Sequence, residues 1–291
     1  MLRPIVSCML MFIAALSISF ASIFVLLSGA SAVACAFWRL ILSTGILYAY
    51  SRVTGSRIVL RDMRSCIFSI ASGIALGMHF ALWMNSLFRV PVVVSTTVVV
   101  TYPIHTLVFE KVFLGERINT VRALGMSIAF VGILLYFYDS LITATLDFIG
   151  VLESFTASVL SAAYFYMGRI VRRNTDVYGY VVPAYSMGSL TVLLYAIFIN
   201  DNVIQYLPSS WPWFVALAIV PMIGGHTVMN YLLRFYRSST VTSIAFTEPL
   251  GATMLAYLIL GQVPNIRHLV IAPIVLLGTV MAMASDIFEG S

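Results

Sequence analysis

The chain has 291 residues, of which 61% are hydrophobic and only 9% charged, against roughly 45–50% apolar and about 25% charged in soluble domains. Such a chain has too few polar groups to cover a water-exposed surface, which excludes a soluble globular protein and, with it, a nucleic-acid binder. The formal net charge of +5 is therefore read through its placement along the chain.

Runs of about 20 apolar residues cross the hydrocarbon core as helices. Gly, Pro and charge clusters divide this sequence into ten: 5–27, 33–51, 65–88, 92–114, 120–138, 148–171, 179–199, 211–233, 239–260 and 266–284. The first run, preceded by Arg3, has the outline of a signal peptide but exceeds the usual apolar region, so it is read as a retained span. Cytoplasmic loops collect Lys and Arg. With the N-terminus inside, Arg3, Arg52, Arg57, Arg61, Arg64, Lys111, Arg117, Arg122, Arg169, Arg172, Arg173, Arg234 and Arg237 fall on the cytoplasmic side. Only Arg89 and Arg267 fall outside, beside Asp139, Asp147 and Asp201. The expectation is a multi-pass protein of the cell membrane with both termini cytoplasmic.

An ionisable group at the membrane centre costs about 2.5–3.5 kcal/mol on insertion scales, so it lines a cavity or has a partner. In chain order, Cys8, Cys35 and Cys66 are scattered and odd in number, indicating neither disulfide nor metal site. Arg39, near the start of the second span, is read as snorkelling to the outer surface or forming a structural or gating ion pair with Glu248 or Glu153. Ser69, Gly73 and Gly77 form a small-residue ladder that permits close helix approach, within the bundle or at the seam of a weak homodimer.

Spacing places His79, Trp83 and Ser86 on one helical stripe, and Thr97, Thr101 and His105 on another beside Tyr102. Ser158, Ser161 and Tyr164 form a third, and His226 and Asn230 a fourth. Together the stripes are read as an aromatic-walled polar cavity; each alone reads equally as interhelical hydrogen bonding. Glu110, Lys111, Glu116 and Arg117 read as a solvated charge cluster at a helix end, and Glu153 as interfacial. Pro183 and Pro273 are read as kinks. Glu248 stands midway along the ninth span, immediately before Pro249. Two readings stand for it: a carboxylate that accepts a proton or binds a substrate ammonium group, or one hydrogen-bonded to a neighbouring helix.

The chain also repeats itself. Thr101-Tyr102-Pro103, in an apolar run ending Leu114-Gly115-Glu116, recurs 146 residues later as Thr247-Glu248-Pro249 before Leu260-Gly261-Gln262. Asn119 matches Asn265, and Gly132 matches Gly278, in the same register. Two copies with five spans each face the bilayer in opposite directions, an architecture common among secondary transporters. The copies are drawn as residues 1–139 and 147–286.

The order of these motifs resembles the drug/metabolite transporter superfamily, specifically EamA-type members with two tandem five-helix repeats. In the first copy the resemblance rests on Ala36-Phe37-Trp38-Arg39-Leu40, His79-Phe80-Ala81-Leu82-Trp83, Pro103, Leu114-Gly115-Glu116 and Gly125/Gly132. In the second it rests on Ala162-Ala163-Tyr164, Gly168-Arg169, Thr247-Glu248-Pro249 and Leu260-Gly261. The first-span Trp-Gly frequent in that family is absent around Ile18-Ser19, and Gln262 replaces the second-copy Glu. The resemblance implies an all-α membrane protein that moves small organic solutes, driven by an ion gradient or by exchange.

No HExxH or GxSxG motif is present, the lone lysine is Lys111, and there is no Walker A sequence. A carrier without cofactor or metal is expected, a monomer or weak homodimer whose partners are the lipid bilayer, a small-molecule substrate and a proton or other coupling ion. Glu248, His79, His226, Asn230 and His105 are the expected coupling or polar recognition groups. Trp83, Tyr102 and Tyr164 are the expected walls, with Arg39, Pro103 and Pro249 in structural or gating roles. The rival readings are a channel, a membrane scaffold and, less favoured, an intramembrane enzyme.

Overall fold

A computed structural model describes residues 2–56, 58, 62–144, 147–261, 263–264 and 266–287, with the side chain of residue 260 left out. Arg57, Arg61, Gln262 and Asn265 lie outside the described residues. Among the described residues there is no strand, and the chain is an all-α, multi-pass membrane protein. Ten longer helical segments follow in order, with a short helix over Tyr138–Thr143 between the fifth and sixth: α1 (Pro4–Leu27, bent at Phe20), α2 (Ala32–Val53), α3 (Met63–Ser86), α4 (Val92–Leu114), α5 (Thr120–Tyr136), α6 (Phe148–Arg172), α7 (Val177–Phe198), α8 (Pro208–Leu232), α9 (238–260) and α10 (Ile266–Ile287). Local chemistry sets their starts. Ser31, Asp62, Asn119 and Asp147 each accept a backbone N–H as helix caps. For Asp62, outside the membrane, the hydrogen bond from Ser65 holds the carboxyl below its ordinary range.

Two of the spans are broken, at equivalent places. α4 is interrupted at Val100-Thr101 and restarts at Tyr102, with Pro103 in its first turn. α9 tightens into a 3-10 segment over Ser243–Thr247 and restarts at Glu248, with Pro249 in its first turn. Thr101 Oγ1 donates to the Val98 carbonyl and Thr247 Oγ1 to the Ile244 carbonyl, both at 2.7 Å. The repeated Thr-x-Pro thus encodes a helix restart: the threonine hydroxyl adds a bond to the carbonyl three residues back, and proline suits a first turn that needs no N–H. The repeated Leu-Gly encodes the stop, because Gly115 (φ 66°) and Gly261 (φ 69°) adopt the left-handed conformation that glycine tolerates best.

The packing is symmetric under exchange of the halves. α3 packs on α6 as α8 packs on α1, α3 on α7 as α8 on α2, and α4 on α6 as α9 on α1. The pairs α5–α10 and α2–α7 map onto themselves. Because each half holds five spans, corresponding helices run in opposite directions, and the repeats are inverted. Close approach depends on glycine. A Cβ on Gly73 would lie 2.5 Å from the Ala184 carbonyl oxygen, and one on Gly77 2.5 Å from that of Gly188. The ladder on α3 is therefore spent within the bundle, against α7.

Gly77→Val is expected to lower the unfolding temperature in detergent, by the about 1–3 kcal/mol typical of overpacking. Gly45→Ala, where a Cβ meets nothing within 4 Å, is expected to leave it unchanged or raise it.

Candidate functional site

A small cavity of about 20 Å³ lies at the centre of the bundle, room for roughly one water molecule. Each of its walls has a local origin. The α3 stripe supplies His79 and Trp83, one turn apart and stacked at 4° with ring centroids 6.3 Å apart. The restarts of α4 and α9 supply Tyr102 and Glu248, the first residues of their segments. A helix N-terminus carries partial positive charge, so the carboxylate of Glu248 sits where the backbone favours it. α8 supplies His226 from a π-helical stretch, Ala218–Thr227, that contains Pro221, Gly224 and Gly225. π-Turns of this kind concentrate at functional sites. Arg39 of α2 and Phe80 complete the polar and aromatic lining.

The charges in this cavity are buried and unpaired. Arg39 is 0% exposed, with its guanidinium 4.0 Å from the Phe80 ring centroid. The expectation that Arg39 snorkels to the outer surface is thus overturned: the α2–α7 and α2–α3 packing holds it inside, and a cation–π contact takes the place of water. Its Nε and Nη1 have no hydrogen-bond partner among the described residues. Glu248, 8% exposed, makes no side-chain hydrogen bond or ion pair with them either. Trp83 Nε1 and His226 Nδ1 are likewise buried without a hydrogen-bond partner among the described residues. His79 Nδ1 lies 2.9 Å from the Ala157 carbonyl. A carbonyl only accepts, so Nδ1 carries a proton in this contact.

Tyr164 and Asn230 stand behind this lining rather than in it. Asn230 Nδ2 donates to the Tyr164 hydroxyl (2.5 Å) and to the His226 carbonyl (2.6 Å), and Arg172 Nε donates to the Asn230 carbonyl (2.9 Å). Phe165 stacks between His226 (5.6 Å) and Tyr102 (5.8 Å). These contacts fix the His226 ring. His105 lies outside the cavity, half-buried, near Thr101 Oγ1 (3.4 Å) and edge-on to Phe155 (5.4 Å). In the α4 and α6 stripes Thr101 bonds Ser158 at 2.8 Å, whereas the buried Thr97 and Ser161 hydroxyls have no partner among the described residues. Pro103 and Pro249 mark the restarts. Sequence reasoning missed Phe80, Val99, Ile18 and Ala21, which also line the cavity. The adjacency of Phe80 to His79 was the available signal for the first.

The cavity is flanked by two different surfaces. Toward one end, a vestibule of about 320 Å³ opens between α1, α4, the α5–α6 connection, α9 and α10, lined in part by Ser22, Thr96, Ser140, Pro249, Thr253 and His268. Ala21, Val99 and Glu248 of the cavity are neighbours or one turn away in sequence. Toward the other end, ion pairs close the bundle. Arg169 bridges Glu110 and Glu116, both at 2.9 Å. Ser238 Oγ and the Ser239 amide donate to Glu110 at 2.7 and 3.2 Å. Arg122 pairs with Asp286, which also accepts from Thr240 Oγ1 at 2.5 Å. The expectation of a solvated charge cluster fails for Glu110, which is 1% exposed because α6 and α9 close over it.

Ten membrane-crossing helices in inverted halves around a polar cavity define the class: a polytopic membrane protein built like a secondary carrier. The chain belongs to the EamA-like transporter family, whose model matches it twice, over residues 5–138 and 148–284. It is 21% identical over 172 residues to an uncharacterized transporter of Archaeoglobus fulgidus, covering 59% of this chain and 60% of that protein. It is 22% identical over 181 residues to the uncharacterized transporter YdfC of Bacillus subtilis, covering 60% and 57% respectively. The match thus spans less than two thirds of the length of these curated relatives. One solved crystal structure aligns over 100% of both chains, with a TM-score of 0.80 at 16% identity, which shows the fold.

Asn230→Ala removes the donor to the Tyr164 hydroxyl, a loss of about 1–3 kcal/mol when a buried partner is left unsatisfied. A lower unfolding temperature, measured by differential scanning fluorimetry in detergent, is the expected outcome.

Proposed function

We propose that this protein is a secondary transporter that moves a small organic solute across the cytoplasmic membrane by alternating access, as an exporter or exchanger. The two five-helix halves, residues 1–139 and 147–286, rock about the central cavity, with both termini on the cytoplasmic side. The single observation that carries the reading is the pair of unpaired buried charges, Arg39 and Glu248, in one cavity at the junction of two broken helices. Uncompensated charges in hydrocarbon are retained for function rather than stability. A solute that offers an acceptor to Arg39 and Trp83 and a donor to Glu248 satisfies both at once. Protonation of Glu248 satisfies it by another route, which is the proposed means of coupling to a proton.

Under this orientation the arginine-rich face is cytoplasmic; the Arg169–Glu110–Glu116 ion pairs close that end, and the vestibule lies toward the outer side. A channel is disfavoured by the same asymmetry: one end is sealed by buried ion pairs spanning α4, α6 and α9.

Purified protein in liposomes is expected to give saturable, gradient-dependent uptake of a solute selected by a thermal-shift screen; non-saturating flux would establish a pore instead. Glu248→Gln is expected to keep the fold and abolish the pH dependence of transport, with a rate loss of at least about tenfold, equivalent to about 1.4 kcal/mol. Intact rate and pH dependence in that variant would remove the coupling role. Arg169→Ala is expected to raise the labelling rate of a cysteine placed as Thr242→Cys, a buried position beyond the ion pairs. An unchanged rate would show that these pairs do not gate access.

A further inference from the structure

The arginine-rich face contains a second recess, of about 400 Å³, distinct from the central cavity and separated from it by the buried ion pairs. Arg169 and Arg173 at the end of α6, Arg234 and Arg237 in the α8–α9 connection, and Asp286 at the end of α10 converge on it. Asp286 is the one carboxylate among the described lining residues.

The positive-inside tendency explains an excess of arginine on this face. It does not explain convergence on one recess. Arg3, Arg52 and Arg64 carry the topological signal from other places in the fold, whereas four arginines from two segments line this one recess. Their carboxylates are shared: Arg169 also holds Glu110 at 2.9 Å, and Arg237 lies 3.9 Å from Asp286, which Arg122 engages as well. Glu116 lies 2.9 Å from Arg169, 3.4 Å from Arg237 and 3.7 Å from Arg173, so one side chain serves three arginines. Arg234 reaches Asp176 only at 3.6 Å, on a side chain that is 65% exposed. The side chains of Arg173 and Arg234 are 54% and 52% exposed, available to a ligand without unfolding anything.

Guanidinium forks match tetrahedral oxyanions in geometry and charge, and bind them by paired hydrogen bonds. Basic recesses between helix ends at a membrane surface hold phosphate headgroups for the same reason. We infer that this recess is a binding site for a phosphate-type oxyanion, presented by an acidic phospholipid headgroup or by a dissolved phosphate compound. A ligand there competes with Glu116 for Arg173 and Arg237. Glu116 also holds Arg169, so occupancy of the recess is coupled to the ion pairs that close this end of the bundle.

The test follows thermal unfolding of the purified full chain in a neutral detergent. One arm compares inorganic phosphate with potassium chloride at matched ionic strength; the other compares phosphatidylglycerol with phosphatidylcholine added to the micelles. A saturable rise of a few degrees with phosphate or phosphatidylglycerol over its control, lost in the Arg173→Gln/Arg234→Gln variant, is the expected result. A rise in the phosphate arm identifies a dissolved ligand, and one confined to the phosphatidylglycerol arm identifies a headgroup. No rise over either control, or a rise the double variant keeps in full, overturns the site. If the double variant does not fold, Arg234→Gln alone replaces it, and a null result with the unmodified protein is decisive by itself.

Discussion

Inside a bilayer, a backbone N–H or carbonyl without a hydrogen-bond partner costs several kcal/mol, and this constraint governs the rest of the structure. It forces every span to be helical, and it makes any break in a helix an event that needs local compensation. The two breaks, at Val100-Thr101 and at Ser243–Thr247, are compensated in the same way, by a threonine hydroxyl that donates three residues back. Both are buried in protein. Each creates a helix N-terminus inside the membrane, and the residue at that terminus lines the central cavity. The cavity therefore exists because the chain breaks two helices at related positions and can satisfy the loose ends.

Symmetry builds this scaffold, while asymmetry furnishes it. At the two restarts the scaffold offers equivalent places, filled by Tyr102 in one half and Glu248 in the other. The single carboxylate then faces Arg39, which acts on it electrostatically without reaching ion-pair distance. Phe80, Trp83 and Tyr102 form the aromatic part of the same lining. A cavity with room for about one water hydrates these two side chains poorly, so whatever charge they carry acts at low dielectric. The same exclusion of water operates at the closed end, where Glu110 is bound by Arg169, Ser238 and the Ser239 amide.

Much of this was legible in the sequence. The limits of the spans followed from apolar length, and those of α4, α6 and α9 lie close to their structural bounds. The inverted duplication followed from one repeated motif and an odd span count. Glu248, His79, His226, Trp83 and Tyr102 were recognisable because polar and aromatic groups at helical spacing stand out in apolar runs, and the structure brings all five to one cavity. Asn230 and Tyr164 were recognisable too, but they form the layer that holds His226. His105 shows the limit of the method: its stripe is real, yet the face it lies on meets Phe155 rather than the cavity. The π-turn in α8 was hidden because Pro221 and Gly224-Gly225 announce an irregularity without specifying its form.

What the sequence alone determined were the properties that depend on local composition: membrane insertion, ten spans, duplication and its inversion. These need only chain-local hydrophobicity, hydrogen bonding and parity. Which polar groups would meet was decided by tertiary structure. Arg39, near a span end in sequence, reads as a snorkelling cation until α2 is packed against α3 and α7 and its side chain is sealed over Phe80. Glu110 reads as solvated until α6 and α9 close on it. A charged side chain's fate depends on what the neighbouring helices present to it, and that is a property of packing across the whole chain.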